Sequence, residues 1–259
     1  MLGRLKAIFS GHANSNPSEH YETEPLPSET LYVIGDIHGC DSLLENAFER
    51  IAADQKERGA PEAPIILLGD YVDRGPKSAQ VLERARARQQ AAPETFVCIL
   101  GNHEKMMLDF LDDPVERGGR WLRFGGVQTL ESYGITGFKE NSSPEALVDA
   151  CDALEAALPE GMDSWLRSLP LQWQSGNVIC VHAGMDPDRA PGSQESRVML
   201  WGHVNFDKVM RDDGLWIVHG HTIVDHPRAA GGRISVDTGA YKTGHLSIAV
   251  ISPNGCTFL

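Results

Sequence analysis

The stretch LLGDYVDRG, residues 67–75, decides how this chain is read. An apolar run, Ile65 to Leu68, stops abruptly at a glycine and a bare aspartate, with a second aspartate and an arginine close behind. LYVIGDIHG (31–39) and FVCILGNHE (96–104) end in the same manner. Short apolar runs that stop at glycine read as buried strands. Each is followed by a segment with helical spacing. In 41–58, Leu43, Leu44, Ala47, Phe48 and Ile51 fall on one face, 77–90 follows Pro76, and 104–111 comes third. Strands alternating with helices predict βαβ units and a parallel sheet. Asp36, Asp70 and Asn102 are spaced by roughly one βαβ step, which is too few regular units for a solenoid.

Outward from this core the pattern changes. Residues 112–169 lose strand character and read as a helical insertion, with strands returning at 178–181, 216–218, 234–236 and 246–251. Residues 10–30, rich in Ser, Asn, Pro and Glu, lead to the expectation of a disordered leader over 1–30, ahead of a single domain over 31–259. The first nine residues, MLGRLKAIF, are too short for a stable helix in water and carry too brief an apolar core for a signal peptide.

Composition excludes several classes. The 259 residues carry a formal net charge of −13, and no Lys/Arg-rich stripe stands out. A nucleic-acid partner is not expected, and a ligand with four phosphates is disfavoured. No apolar run reaches the length of a membrane span, so no stable membrane insertion is expected. The five cysteines (Cys40, Cys98, Cys151, Cys180, Cys256) lack close spacing and read as reduced thiols, with a cytoplasmic location as the default. Oligomeric state leaves no signature.

Ligands of open α/β sheets bind beyond the carboxyl ends of the strands. There the chain places Asp36 with His38, Asp70 with Asp73 and Arg74, and Asn102 with His103. VICVHAG and WIVHGHT add His182 and His221 at two further strand ends. A lone histidine or a GD turn is commonplace, but five such ends with ligand-type side chains exceed what turn chemistry explains. The mixed oxygen and nitrogen set suits Mn, Fe or Zn. His219 lies inside its strand-like run and is read as structural.

GDIHG (35–39), GDYVDRG (69–75), GNHE (101–104), VHAG (181–184) and GHT (220–222) together resemble the signature set of PPP-type serine/threonine phosphatases. The bacterial and phage branch, which includes dinucleoside tetraphosphate hydrolases, is the closer likeness. WLRFGGVQTLESYG (121–134) resembles that branch's helical cap, and VDTGAYKTGHLS (236–247) its final strand pair. The resemblance implies a calcineurin-like metallophosphoesterase fold: an α/β chain with βαβαβ units in a central mixed β-sandwich, flanked by helices, with a helical cap over 112–169. It implies two divalent metal ions, Mn first, with Fe or Zn as alternatives. Asp36, His38 and Asp70 would hold one ion, and Asp70, Asn102, His182 and His221 the other. A bridging hydroxide would attack phosphorus. Arg74 would grip the phosphate, with Asn102, His103, His203 and Tyr241 around it, and His103, oriented by Asp73, would protonate the leaving group.

One departure from that pattern stands in MLWGHVNF (199–206), where His203 occupies the place of a phosphate-binding arginine; Arg197 and Arg211 are nearby candidates to replace it. The expected activity is hydrolysis of phosphomonoesters, first of phosphoserine and phosphothreonine in proteins. Dinucleoside tetraphosphate hydrolysis is the alternative. A non-catalytic binding module comes last, because no metal-ligand position is lost and both Asp73 and His103 are present.

Overall fold

The computed structural model describes Tyr21 and residues 23–259. Its centre is two five-stranded sheets packed face to face. In the first sheet, β1 (Leu31–Ile34), β2 (Ile65–Leu67) and β3 (Phe96–Cys98) run parallel. Late strands β9 (Ile248–Ser252) and β10 (Gly255–Phe258) complete it antiparallel, in the order β10-β9-β1-β2-β3. The second sheet has the order β4-β5-β6-β8-β7. Its parallel centre is β5 (Val178–Val181), β6 (Trp216–His219) and β8 (Arg233–Ser235). The edges β4 (Gln172–Ser175) and β7 (Arg228–Ala230) pair antiparallel.

The unbroken hydrophobicity of the central strands follows from burial on both faces. Leu31, Val33, Ile66, Leu68, Val97 and Ile99 point inward against residues of the second sheet such as Val178, Cys180, Val218 and Ile234. The alternate residues Tyr32, Ile34, Leu67, Phe96 and Cys98 face the helices. Helix α1 (Asp41–Arg58) buries Leu44, Ala47, Phe48 and Ile51 there and ends at Gly59, whose φ of 67° a side chain would resist. Helix α2 (Ser78–Ala91) buries Val81, Leu82 and Ala85.

Helix α3 (Asn102–Asp112) starts two residues before the expected 104, so Asn102 and His103 stand in its first turn. The segment 112–169 holds α4 (Pro114–Trp121), a kink over Leu122–Gly126 where Gly125 has a φ of 121°, α5 (Val127–Ser132), α6 (Pro144–Ala157) and α7 (Met162–Ser168). Two short helices, α8 (Ser196–Trp201) and α9 (Ala240–Thr243), follow. All five cysteines are free thiols. No helix among the described residues is long and apolar enough to cross a membrane.

The expected disordered leader does not describe Tyr21 and residues 23–30. Trp216 Nε1–H donates to Thr23 O (2.9 Å), and the Tyr21 ring stands edge-on to the Trp216 ring at 5.5 Å. Asn177 takes the Leu26 N–H on its Oδ1 and donates Nδ2–H to Glu24 O. Pro25 and Pro27 are buried. The polar composition concealed this because backbone groups, two prolines and the single ring of Tyr21, not a run of apolar side chains, make the attachment. Residues 1–20 and 22 of that leader lie outside the described residues.

Candidate active site

Five strand ends meet at one edge of the sandwich, and each delivers the polar groups that its sequence promised. Among the described residues, the non-glycine positions with left-handed φ are His38, Asp70, Asp73, Arg74 and His221. All five belong to the candidate set. A left-handed non-glycine residue costs on the order of 1 kcal/mol or more, and such strain concentrates where function demands a particular side-chain direction. Gly220 has a complementary reason, since a Cβ there would run into Asp36 Oδ1.

Asp70 is the hub. Its Oδ2 lies 3.4 Å from His38 Nε2 and its Oδ1 lies 3.4 Å from His182 Nε2. Asn102 Oδ1 lies 2.8 Å from both His182 Nε2 and His221 Nδ1. Two groups of potential ligand atoms therefore share Asp70, one with His38 and His103 and the other with His182 and His221. Asp36 sits alongside, accepting the His221 N–H at 3.1 Å on each carboxylate oxygen.

These residues fit divalent cations. His38 Nδ1 donates to Val72 O (2.8 Å), which leaves Nε2 as a lone pair, buried and without a hydrogen-bond partner. His182 Nδ1 likewise faces Leu68 O (2.9 Å), so its Nε2 lone pair confronts the oxygens of Asn102 and Asp70. Acceptors that converge with no donor between them are what a cation reconciles. Burial, with the neighbouring Asp237 and Asp70 charges, pushes the Asp36 carboxyl well above its usual range. Burial and the Glu104 charge do the same to Asp70. Burial drives His38 and His182 well below theirs.

Beside the hub lies a proton-handling pair. His103 Nδ1 is 2.6 Å from Asp73 Oδ2, and His103 Nε2 is 3.1 Å from Arg74 Nη2. Guanidinium can only donate, so Nε2 accepts and the neutral ring carries its proton on Nδ1, aimed at Asp73. Burial lowers His103 to about 2, with help from the Arg74 and His221 charges, and raises Asp73 to about 8. Trp121 Nε1–H reaches both Asp73 oxygens at 3.1 Å, and Thr129 Oγ1–H donates to Oδ1 at 2.7 Å. The last residue of α4 and the α5 hydroxyl of Thr129 thus hold Asp73 in place. Arg74 Cζ stacks 4.9 Å from the Tyr241 ring, which also lies edge-on to His38 at 5.3 Å. Tyr241 is thus in contact with both Arg74 and His38.

Among the described residues, His203 makes no such contact. Its partners are Asp186 Oδ2 at 3.9 Å and the Asn205 N–H at 3.4 Å. Arg211 is fully engaged by Asp213 and by the carbonyls of Asp186 and Arg189, so it supplies no replacement arginine.

Sequence reasoning missed four members of this centre. Glu104, wholly buried, accepts from the N–H groups of Asp70 (2.8 Å), Tyr71 (2.7 Å), Val72 (3.1 Å) and Gly101 (3.0 Å). Its spacing three residues after a helix-opening glycine was a usable signal. Trp121 and Thr129 lie too far along the chain for any local pattern. Asp237, buried beside Asp36, follows a strand as the other acids do and could have been counted with them.

Comparison with known proteins places this geometry. The asymmetrical bis(5'-nucleosyl)-tetraphosphatase PrpE of Oceanobacillus iheyensis is 27% identical over 227 residues, covering 80% of this chain and 82% of that one. A crystal structure assigned provisionally as a diadenosine tetraphosphatase superposes with a TM-score of 0.60 at 19% identity, covering 92% of this chain and 97% of its own. The cold-active protein-tyrosine phosphatase of a Shewanella species superposes at 0.59 with 16% identity, over 90% and 78% of the two chains; these two likenesses speak for the fold alone. The resemblance to serine/threonine phosphatases thus holds at the level of the superfamily, while the sequence relatives carry the tetraphosphatase name. The calcineurin-like phosphoesterase model matches residues 30–238, and the chain belongs to that metallophosphoesterase family.

Proposed function

We propose that the chain is a two-metal hydrolase of dinucleoside tetraphosphates, with Asp70 as the carboxylate shared by both ions. The carrying observation is that Asp70 faces His38 on one oxygen and His182 on the other. Asp36 and His38 would complete one site, and Asn102, His182 and His221 the other. Mn, Fe and Zn all suit this donor set, with Mn the first choice. Such ions supply Lewis-acid polarisation of phosphoryl oxygens and acidify water for attack on phosphorus.

The chain's own groups do the rest. Arg74 leaves His103 Nε2 to take phosphate oxygens in bidentate fashion, its plane held by Tyr241. That exchange frees Nε2 to receive a proton and deliver it to the leaving oxygen, with Asp73 stabilising the charged ring. Asn102, in the first turn of α3, borders the same space. The substrate assignment rests on the sequence relatives and replaces phosphoserine and phosphothreonine as the first expectation. The experiment is hydrolysis of diadenosine tetraphosphate beside a phosphothreonine peptide by Mn-loaded protein. Nucleotide cleavage with the peptide untouched supports the proposal; the reverse returns the chain to the protein phosphatases.

A further inference from the structure

The acidic balance of the chain conceals a cationic cavity beside the candidate centre. A space of about 410 Å³ opens between α3, α4 and α8, lined by Lys105, Arg117, Arg120 and Arg197 together with the rings of Trp121 and Trp201. Lys105 is paired with Asp109 on its own helix. Among the described residues, Arg117, Arg120 and Arg197 make no ion pair and no side-chain hydrogen bond. Three exposed guanidinium groups and the Lys105 ammonium face a single carboxylate, Asp109, around this cavity, a locally positive balance in a chain with net charge −13.

The cavity and the candidate centre share a wall. Trp121 lines the cavity and donates Nε1–H to Asp73, the partner of His103. Lys105 stands two residues beyond His103 on α3. Guanidinium forks match phosphate oxygens, and the half-buried Trp201 offers a flat surface for a base.

We propose that this cavity is a second binding site, taking the distal phosphates of a nucleotide substrate and stacking its far base on Trp201. It deepens the dinucleotide reading and rests on it for the identity of the full ligand. Arg197 would then act from the neighbouring site, not as a stand-in at the reacting phosphate.

The test compares wild type with the R117E/R120E double variant and with R197E, all Mn-loaded. Two numbers are read for each protein: the ratio of kcat/KM on diadenosine tetraphosphate to that on p-nitrophenyl phosphate, and the inhibition constant of tripolyphosphate relative to orthophosphate. Charge reversal is expected to lower the first ratio at least about tenfold, through KM, and to weaken tripolyphosphate about as much. If both ratios stay at wild-type values, the second site is refuted, whatever the substrate. If wild type cleaves no dinucleotide yet the variants lose tripolyphosphate selectively, the site stands and the dinucleotide assignment falls. Circular dichroism matching wild type separates binding loss from misfolding, and R197K, which keeps charge, restores most of the R197E loss.

Discussion

Glu104→Gln isolates the support beneath Asp70. The carboxylate is wholly buried and takes four backbone N–H groups, Oε1 from Tyr71 and Val72 and Oε2 from Asp70 and Gly101. Burial raises this carboxyl to about 7 against the pull of those donors, so pH 8 keeps the wild-type group ionised. Glutamine has the same shape but must turn its NH2 toward one pair of donors. Two charge-assisted hydrogen bonds worth about 1.5–3 kcal/mol each are then lost, and two buried N–H groups are orphaned. Relief of the repulsion between Glu104 and Asp70 offsets part of this. The expected net loss is about 2–5 kcal/mol in urea unfolding of the metal-free protein at pH 8. Asp70, held at a φ of 51° by this anchor, would relax, and both metal sites would weaken together. A loss under about 0.5 kcal/mol with unchanged metal content would refute the reasoning, because the four N–H groups would then not depend on that charge.

Other perturbations test separate parts of the site. Asp70→Asn removes the one carboxylate charge shared by the two groups, and turnover should drop on the order of 10³-fold, as several kcal/mol of charge stabilisation disappear; retention of two bound ions at wild-type affinity would contradict the shared role. His103→Asn should spare metal content and slow alkyl phosphate monoesters on the order of 10²-fold or more, while phosphoanhydrides, whose leaving group is a weaker base and depends less on the delivered proton, lose roughly tenfold or less. A leaving-group series shows whether the penalty depends on the departing oxygen; equal losses across it would contradict the acid role. His219, buried with Nε2 2.9 Å from Ser235 Oγ and its ring edge-on to Phe206, is lowered by burial to about 4. Its folded value lies below the unfolded 6.5, so its neutral form contributes fully above pH 6.5. That contribution is lost as pH falls toward 4, amounting to about 3 kcal/mol. His219→Gln should flatten that part of the acid-unfolding slope; an unchanged slope would show the group titrating normally.

The parts legible in the sequence were those in which one local pattern carries both structure and chemistry. Apolar runs buried on both faces are continuous, and their termini at glycine marked β1, β2, β3, β5 and β6 along with nearly every group that gathers at Asp70. The strands that went unseen are β4, β7 and β10, edge strands whose residues (QWQS, RAA, GCTF), Ser175 apart, are exposed or half-buried and show no apolar signature. Trp121 and Thr129 were invisible as partners of Asp73 because only the folding of the helical segment brings them over it. The same holds for the cationic cavity: Arg117, Arg120 and Arg197 are scattered on α4 and α8, so no stripe appears, and the overall acidity argued against the very ligand that the cavity suits.

Turnover of diadenosine tetraphosphate, followed as Mn is titrated into chelator-treated protein, tests the central claim most directly. The account predicts no cleavage without metal and a rise that saturates at two ions per chain. Full activity in the chelator-treated protein, or saturation at a single ion, would contradict a centre built on a shared Asp70.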